Sequence, residues 1–505
     1  MQSLPAELLE MIGKCIALDN ADEDCETVRR SSLHALTLSC RKFHQIFEPL
    51  LYYHLDLGFL HPLNTARVNL IIRLWRNPEI ANWVRSLRLY WSSGEPIPLD
   101  DASHEDYERI VYFVSRVLDV LFTPEDFTKL MWRHSLLEDW SLEAWLGLLF
   151  VPLTHLESIE FDNYGTASRF CDILYKAARR EKPFHEDPPF PFLRKVVANC
   201  GEEGHGIHER FITPFFYLPN VQSVTGRALW AANRQDDEHH KRAFELPPTS
   251  GPVRFISFEQ VWRCTGMVNW LNACRELEHF SVEASVPIDS MDIGDPFNTR
   301  DLYQALLPFK KTLKSLSIRY DWHYNYCLDM NSGLGASQDN FPFQSFQEFS
   351  ALEHLTVRHA HLLRVSPDSP VEESSLGRLV DRLPRSLQIF VIQDVLRDSS
   401  RLISELLVVV QNQCLFPHLK RLELIDKYAD DPPPSEDESS DWVSSTIDEQ
   451  VNIDLESITI LARECDARGI DLVWDMGEDT ESETVSETES ETEIETESEA
   501  ENAWH

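Results

Sequence analysis

Apolar residues return along most of the chain in one short unit, apolar-x-x-apolar-x-apolar. It reads VRSLRL (Val84–Leu89), LESIEF (Leu156–Phe161), VRFISF (Val253–Phe258), LEHFSV (Leu277–Val282), LKSLSI (Leu313–Ile318), LEHLTV (Leu352–Val357), LQIFVI (Leu387–Ile392) and LKRLEL (Leu419–Leu424). Weaker copies begin at Leu193 and Val221. The alternating half of each unit predicts a short strand with one buried face. The later copies start 36, 39, 35 and 32 residues apart. Between them lie RDLYQALLPF, SLGRLVDRLP and RLISELLVVVQNQCLFP, helical in spacing and each closed by Leu/Phe-Pro. Proline stops the helix there and the chain turns back. Helix, proline and strand at a period in the thirties predict a stacked α/β repeat, in which neighbours cover each unit's apolar faces. An ordinary multidomain α/β protein is the alternative.

The first residues follow a different pattern. In SLPAELLEMIGKCI, Leu4, Leu8, Ile12 and Ile16 recur every four residues, and Leu9 and Cys15 widen the stripe. Pro5 suits a first helical turn, and Glu7 and Glu10 suit the positive end of the helix dipole. After a polar loop, Asp19–Ser31, a second helical pattern runs through Leu33, Leu36, Cys40, Phe43 and Phe47, and Pro49 is expected to stop or bend it. LLYYHLDL (Leu50–Leu57) then turns to strand-like alternation. So few residues cannot bury both stripes by themselves. Either a partner chain covers them or they cap the remainder of this chain.

The residues LPAELLEMI and LHALTLSCRKFHQIFEPLLY resemble an F-box. The matching positions are Leu4, Pro5, Glu7, Leu8, Leu9, Ile12, Leu33, Leu36, Cys40, Arg41, Lys42 and Phe43. The loop Asp19–Ser31 is longer than in most F-boxes, and Phe43 stands where Trp is common. The repeats resemble a divergent leucine-rich-repeat-like solenoid without the usual Asn/Cys position. Together the two parts resemble the large F-box family of filamentous fungi.

That resemblance implies an α/β fold: an N-terminal three-helix F-box, residues 1–57, then an irregular solenoid of short parallel strands and helices, residues 58–429. An acidic Pro/Ser-rich linker (430–446), a helix–strand cap (447–475) and a disordered acidic Ser/Thr/Glu tail (476–505) follow. It also implies that Leu4, Pro5, Leu8, Leu9, Ile12, Leu36, Cys40 and Phe43 dock on a Skp adaptor. The adaptor in turn binds a cullin scaffold that recruits a ubiquitin-conjugating enzyme. The chain would do no bond chemistry and need no cofactor; it would hold a protein substrate near the charged enzyme, raising its effective concentration.

Charge supports a protein partner. The formal net charge is −38, and Asp475–Glu501 holds 13 acidic residues with no Lys or Arg. Asp430–Asp441 adds six more acids. The remainder is still acidic, which disfavours a nucleic-acid partner. Nine Ser/Thr alternate with the acids between Thr480 and Ser498, a setting that acid-directed kinases select. The tail is also a competitor for any basic patch on the concave face. Ten cysteines without a Cys-x-x-Cys pair read as reduced thiols. No stretch is long enough to span a bilayer, and no signal pattern opens the chain, so a cytoplasmic or nuclear location is expected.

Catalytic motifs are missing from the sequence: no Gly-x-Ser-x-Gly, no phosphate-loop lysine, no His-Glu-x-x-His. Cys200, His205 and His208 lie close in sequence but match no zinc spacing, and no metal site is expected. On the strands the outward set includes Arg88, Tyr90, Glu160, Asp162, Glu259, Glu283, Arg319, Arg358 and Gln393. YDWHYNYC (Tyr320–Cys327) supplies aromatic anchors of the kind found in interfaces. The substrate-contact candidates are therefore Arg88, Tyr90, Glu259, Arg319, Trp322, Tyr324 and Arg358. Two rival readings remain. One is an interaction scaffold without a ubiquitin role. The other is an enzyme, which requires several titrating groups converging in one cleft.

Overall fold

The computed structural model describes residues 4–18, 23–57, 65–92, 103–123, 126–164, 168–200, 206–230, 246, 251–263, 267–285, 298–321, 324, 342–363, 377–395, 400–426 and 455–475. The expected acidic linker and tail lie outside them. Three helices open the chain: α1 (Ala6–Leu18), α2 (Glu23–Ser39) and α3 (Arg41–Tyr53). Pro49 does not end α3, which runs four residues further. Proline forfeits one helical hydrogen bond, and the packing of Leu50 and Leu51 into the helical core holds the last turn in place.

Among the described residues, thirteen parallel strands then form a single sheet. They are β1 (His54–Leu57), β2 (Ser86–Ser92), β3 (Ser158–Tyr164), β4 (Lys195–Asn199), β5 (Ile207–His208), β6 (Ser223–Trp230), β7 (Phe255–Arg263), β8 (His279–Ala284), β9 (Ser315–Tyr320), β10 (His354–Arg358), β11 (Ile389–Val395), β12 (Arg421–Asp426) and β13 (Asp471–Asp475). Their spatial order follows the sequence, except that the two-residue β5 pairs only with β6, beside the main path. Helices lie between most strands. Those used below are α4 (Thr65–Arg76), α6 (His104–Leu121), α7 (Thr128–Leu137), α8 (Leu142–Phe150) and α9 (Ser168–Arg179), with α5 (Pro78–Ala81) a single turn. This architecture is consistent with a leucine-rich-repeat-like α/β repeat. Each of the ten sequence units falls on a strand of the sheet. The last four residues of the expected N-terminal unit, His54–Leu57, belong to the sheet as β1, in register with Ser86–Leu89.

The repeat has a physical basis in each unit. The leading apolar residue, from Val84 to Leu387, is wholly shielded in every copy. The next residue's carbonyl accepts two N–H groups from the following strand: Arg85 O from Glu157 (2.7 Å) and Ser158 (3.0 Å), and likewise at each step from Glu157 to Gln388. Alternate strand residues then face a continuous core, as in the half-buried/buried pattern of β8 and β9. A single apolar cluster runs from Leu55 to Ile470. At β11 the register against β12 shifts between Ile392 and Val395, where Asp394 adopts φ 51°. Asp is among the few residues that enter the left-handed region readily, and the bulge lets both Asp394 and Val395 turn inward.

Candidate functional site

The three N-terminal helices have a core of their own. Leu9, Leu33, Phe43, Phe47 and Leu50 form a buried cluster separate from that of the sheet, with Leu4, Ile16, Leu36, Cys40, Ile46 and Leu51 packed at its margin. Phe43 and Phe47 meet edge to face at 5.4 Å. Gly13 lets α1 lie close to α3: a β-carbon there would collide with Leu50 and sit 2.8 Å from the Phe47 ring. Lys42 Nζ donates to the Leu4 carbonyl at 3.0 Å, tying the start of α1 to α3.

This geometry divides the expected docking residues. Leu9 and Phe43 lie inside the helical core, not on its surface. Leu4, Leu36 and Cys40 are half-buried, and Pro5 is exposed. Leu8 and Ile12 are 45% and 40% exposed, and between them Met11 is 60% exposed. The inward face of α1 is therefore Leu9, Gly13 and Ile16. Its outward stripe is Leu8, Met11, Ile12 and Cys15, at i, i+3, i+4 and i+7. Sequence reasoning passed over Met11, although its spacing from Leu8 was a signal. The unit is joined to the sheet at β1. Arg30 Nη2 of α2 donates to the Asp56 carbonyl at 3.2 Å, and the His54 ring lies 2.9 Å from Ser86 Oγ.

The substrate-contact candidates also separate. Arg88, Tyr90 and Arg319 are half-buried on the open face of the sheet, and Glu259 is exposed there. Arg88 pairs with Glu160 at 3.7 Å and Arg319 with Glu283 at 3.2 Å, each across adjacent strands. Trp322 lies outside the described residues. Tyr324 is not an exposed anchor: it is 1% exposed, with its ring 4.9 Å from that of Tyr320. Arg358 is likewise interior. Its guanidinium lies 4.2 Å above the Tyr320 ring, and Nε is 2.7 Å from an Asp394 carboxylate oxygen. The bulge at Asp394 draws Arg358 inward, and strand alternation alone did not reveal it. Through the middle of the face, Thr225, Ser257, Ser281 and Ser317 stand side by side on β6 to β9.

The strongest perturbed acid lies elsewhere. Glu143, at the start of α8, accepts N–H bonds from Arg169 and Phe170 at the N-terminus of α9. Burial pushes its carboxyl up to about 7. Burial also raises Asp172, which accepts from Trp132 Nε1 at 3.1 Å and pairs with Arg169 at 3.5 Å. Both carboxylates are spent on structure: Glu143 caps the N-terminus of α9, and Asp172, within α9, holds the Trp132 indole and Arg169. Cys200 is buried, and His208 caps a short helical turn by accepting from Arg210 N at 3.1 Å. Among the described residues no group of three or more His, Cys, Asp or Glu is placed to hold a metal, and no helix is long and apolar enough to cross a membrane. Comparison with known proteins gives no family model and no curated protein that matches the chain.

Proposed function

We propose that this chain is the substrate-recognition subunit of a Skp–cullin–F-box ubiquitin ligase, with the helical unit docking on the Skp adaptor and the repeat sheet holding a protein substrate. One observation carries the reading. A helical unit that already has its own core still presents Leu8, Met11, Ile12 and Cys15 as a continuous outward stripe. Contiguous exposed apolar surface of this kind marks an interaction site. In this reading Leu9 and Phe43 support the stripe from within, and the contact is made by Pro5, Leu8, Met11 and Ile12, with Leu4, Leu36 and Cys40 at its edge. The repeats are read as a leucine-rich-repeat-like solenoid. On its open face, hydroxyls and cross-strand ion pairs suit a folded or extended protein more than a polyanion.

The test is co-purification of the full chain with a fungal Skp adaptor, against Leu8→Asp/Ile12→Asp. Both positions are exposed, so the variant keeps the helical core. Near-stoichiometric capture that the variant abolishes supports the receptor reading. Absence of capture by a chain that melts cooperatively transfers the function to the rival reading, an interaction scaffold without a ubiquitin role.

A further inference from the structure

We infer that the outer face of α6 and α7 is a docking surface for this chain's own acidic C-terminal segment, residues 489–501. The inference is independent of the ubiquitin-ligase reading. On the open face of the sheet, Arg88 is paired with Glu160, Arg319 with Glu283 and Arg421 with Glu423, and Arg227 donates to the Gln260 amide. A tail seeking a basic patch has little to gain there. At the end of α6 the balance differs. Asp119 is held below the usual carboxylate range first by its bond with Lys129, and Lys182 and Arg116 add to the pull. Lys182 Nζ also donates to the Asp119 carbonyl at 2.9 Å, and Arg116 extends along α6 to the Tyr112 hydroxyl at 3.3 Å. Three cations thus gather around one carboxylate, in a chain whose formal net charge is −38.

The same face carries large apolar groups in water. Phe127 is 72% exposed and Leu130 63%, with Tyr112, Val120 and Met131 also exposed. A cationic island bordered by apolar side chains fits an acidic peptide with sparse apolar residues. The C-terminal segment has that composition: in residues 489–501 Ile494 and Ala500 interrupt an otherwise regular Ser/Thr–Glu alternation. It is also long enough. From β13 to β3 the sheet makes nine strand steps, about 45 Å at the usual spacing. Extended chain clears that distance about 14 residues after Asp475, so the stretch from Glu489 onward reaches the face, and the full 30 residues span about 100 Å. Tethering makes the encounter intramolecular and raises the effective concentration of the segment.

The full chain tests this. A carbodiimide joins a lysine amine to a carboxylate as an amide, and mass spectrometry locates the links. Lys129 and Lys182 are expected to link to Glu489–Glu501 at least several-fold more often than Lys42, Lys195 and Lys311, which are exposed elsewhere. Arg116→Glu with Leu130→Asp, both at exposed positions, is expected to bring those links to the level of the other lysines, as is about 1 M salt, where screening acts within about 3 Å. Links spread evenly over all five lysines overturn the proposal. So do links found only between differently isotope-labelled copies, which would make the occupant a second molecule's tail.

Discussion

Arg358 and Asp394 stand one repeat apart on β10 and β11, 2.7 Å between Nε and carboxylate oxygen, with side chains only 5% and 7% exposed. The aromatic face of Tyr320 covers the guanidinium. Breaking a buried pair by neutralising one partner strands the other charge, at about 3–5 kcal/mol. Asp394→Asn retains a residue that tolerates φ 51° but leaves the guanidinium uncompensated, and is expected to lower stability by about that amount. Arg358→Met with Asp394→Asn removes both charges and is expected to lose less. Urea unfolding of the three proteins checks the order; equal losses in the single and double variants would show that the charge pairing is not the source.

Arg382 is a second buried cation with a different task. It donates to the carbonyls of Gln344 (3.0 Å), Leu362 (2.7 Å) and Phe343. One planar fork thereby holds the segment that leads into β10 against the turn that follows it. Arg382→Met leaves three carbonyls without that donor, each costing about 1–3 kcal/mol where it stays dry. Amide exchange at Phe343 and Phe346, whose N–H groups donate to His361 O and Arg382 O, is expected to accelerate by at least tenfold. Unchanged exchange at both would mean that backbone contacts alone hold the segment.

The sheet was legible because each strand carries its own signature. Val84, Leu156 and Leu313 lead units whose alternation needs no distant information, and Leu307-Pro308 and Leu383-Pro384 directly follow the helices Thr299–Leu306 and Leu379–Arg382, whereas the helix Ser400–Gln411 stops five residues before Phe416-Pro417. Gly469, at φ 68°, closes the last helix where expected, before β13. The failures share a different cause. Whether Leu8 or Leu9 faces inward depends on where α3 lies, and the four-residue stripe could not supply that. Whether Arg358 faces water depends on a bulge one strand away. Glu143 reads as a surface acid in sequence, because the helix end it caps begins 25 residues later.

The buried titrating groups give opposing pH dependences. Burial pushes His54 and His208 down to about 4, with nearby arginines reinforcing the shift. Such a histidine is neutral when folded, so its contribution is full above the ordinary value of 6.5 and is lost as pH falls from there towards 4. Glu143 runs the other way. Its carboxyl is raised from 4.5 to about 7, so its contribution is full below 4.5 and is lost as pH rises to 7. Glu143→Gln keeps an oxygen acceptor for Arg169 and Phe170 and has no proton to lose. Its stability relative to the parent is expected to climb between pH 4.5 and 7 and then level off. His208→Gln is expected to gain on the parent as pH falls from 6.5. Denaturant midpoints across pH 4–8 decide both, and parallel curves for parent and variant would refute the assignment to that residue.

Gly13 provides the sharpest separation between the helical unit and the sheet. It faces Phe47 and Leu50, where any β-carbon meets the partner helix. Gly13→Val gains roughly half a kcal/mol of intrinsic helix propensity. Overpacking at the α1–α3 contact costs about 1–3 kcal/mol, and the α1 core residues, Leu9 and Ile16, must shift with it. The helical cluster does not share buried residues with the sheet cluster. The variant is therefore expected to raise amide exchange across α1 and α3 and, on the docking proposed above, to weaken capture by the Skp adaptor several-fold. Exchange in β6 to β9 should remain at parental rates. If exchange rises equally across those strands, the helices are part of the sheet's cooperative unit, and their separate core is not separately stable.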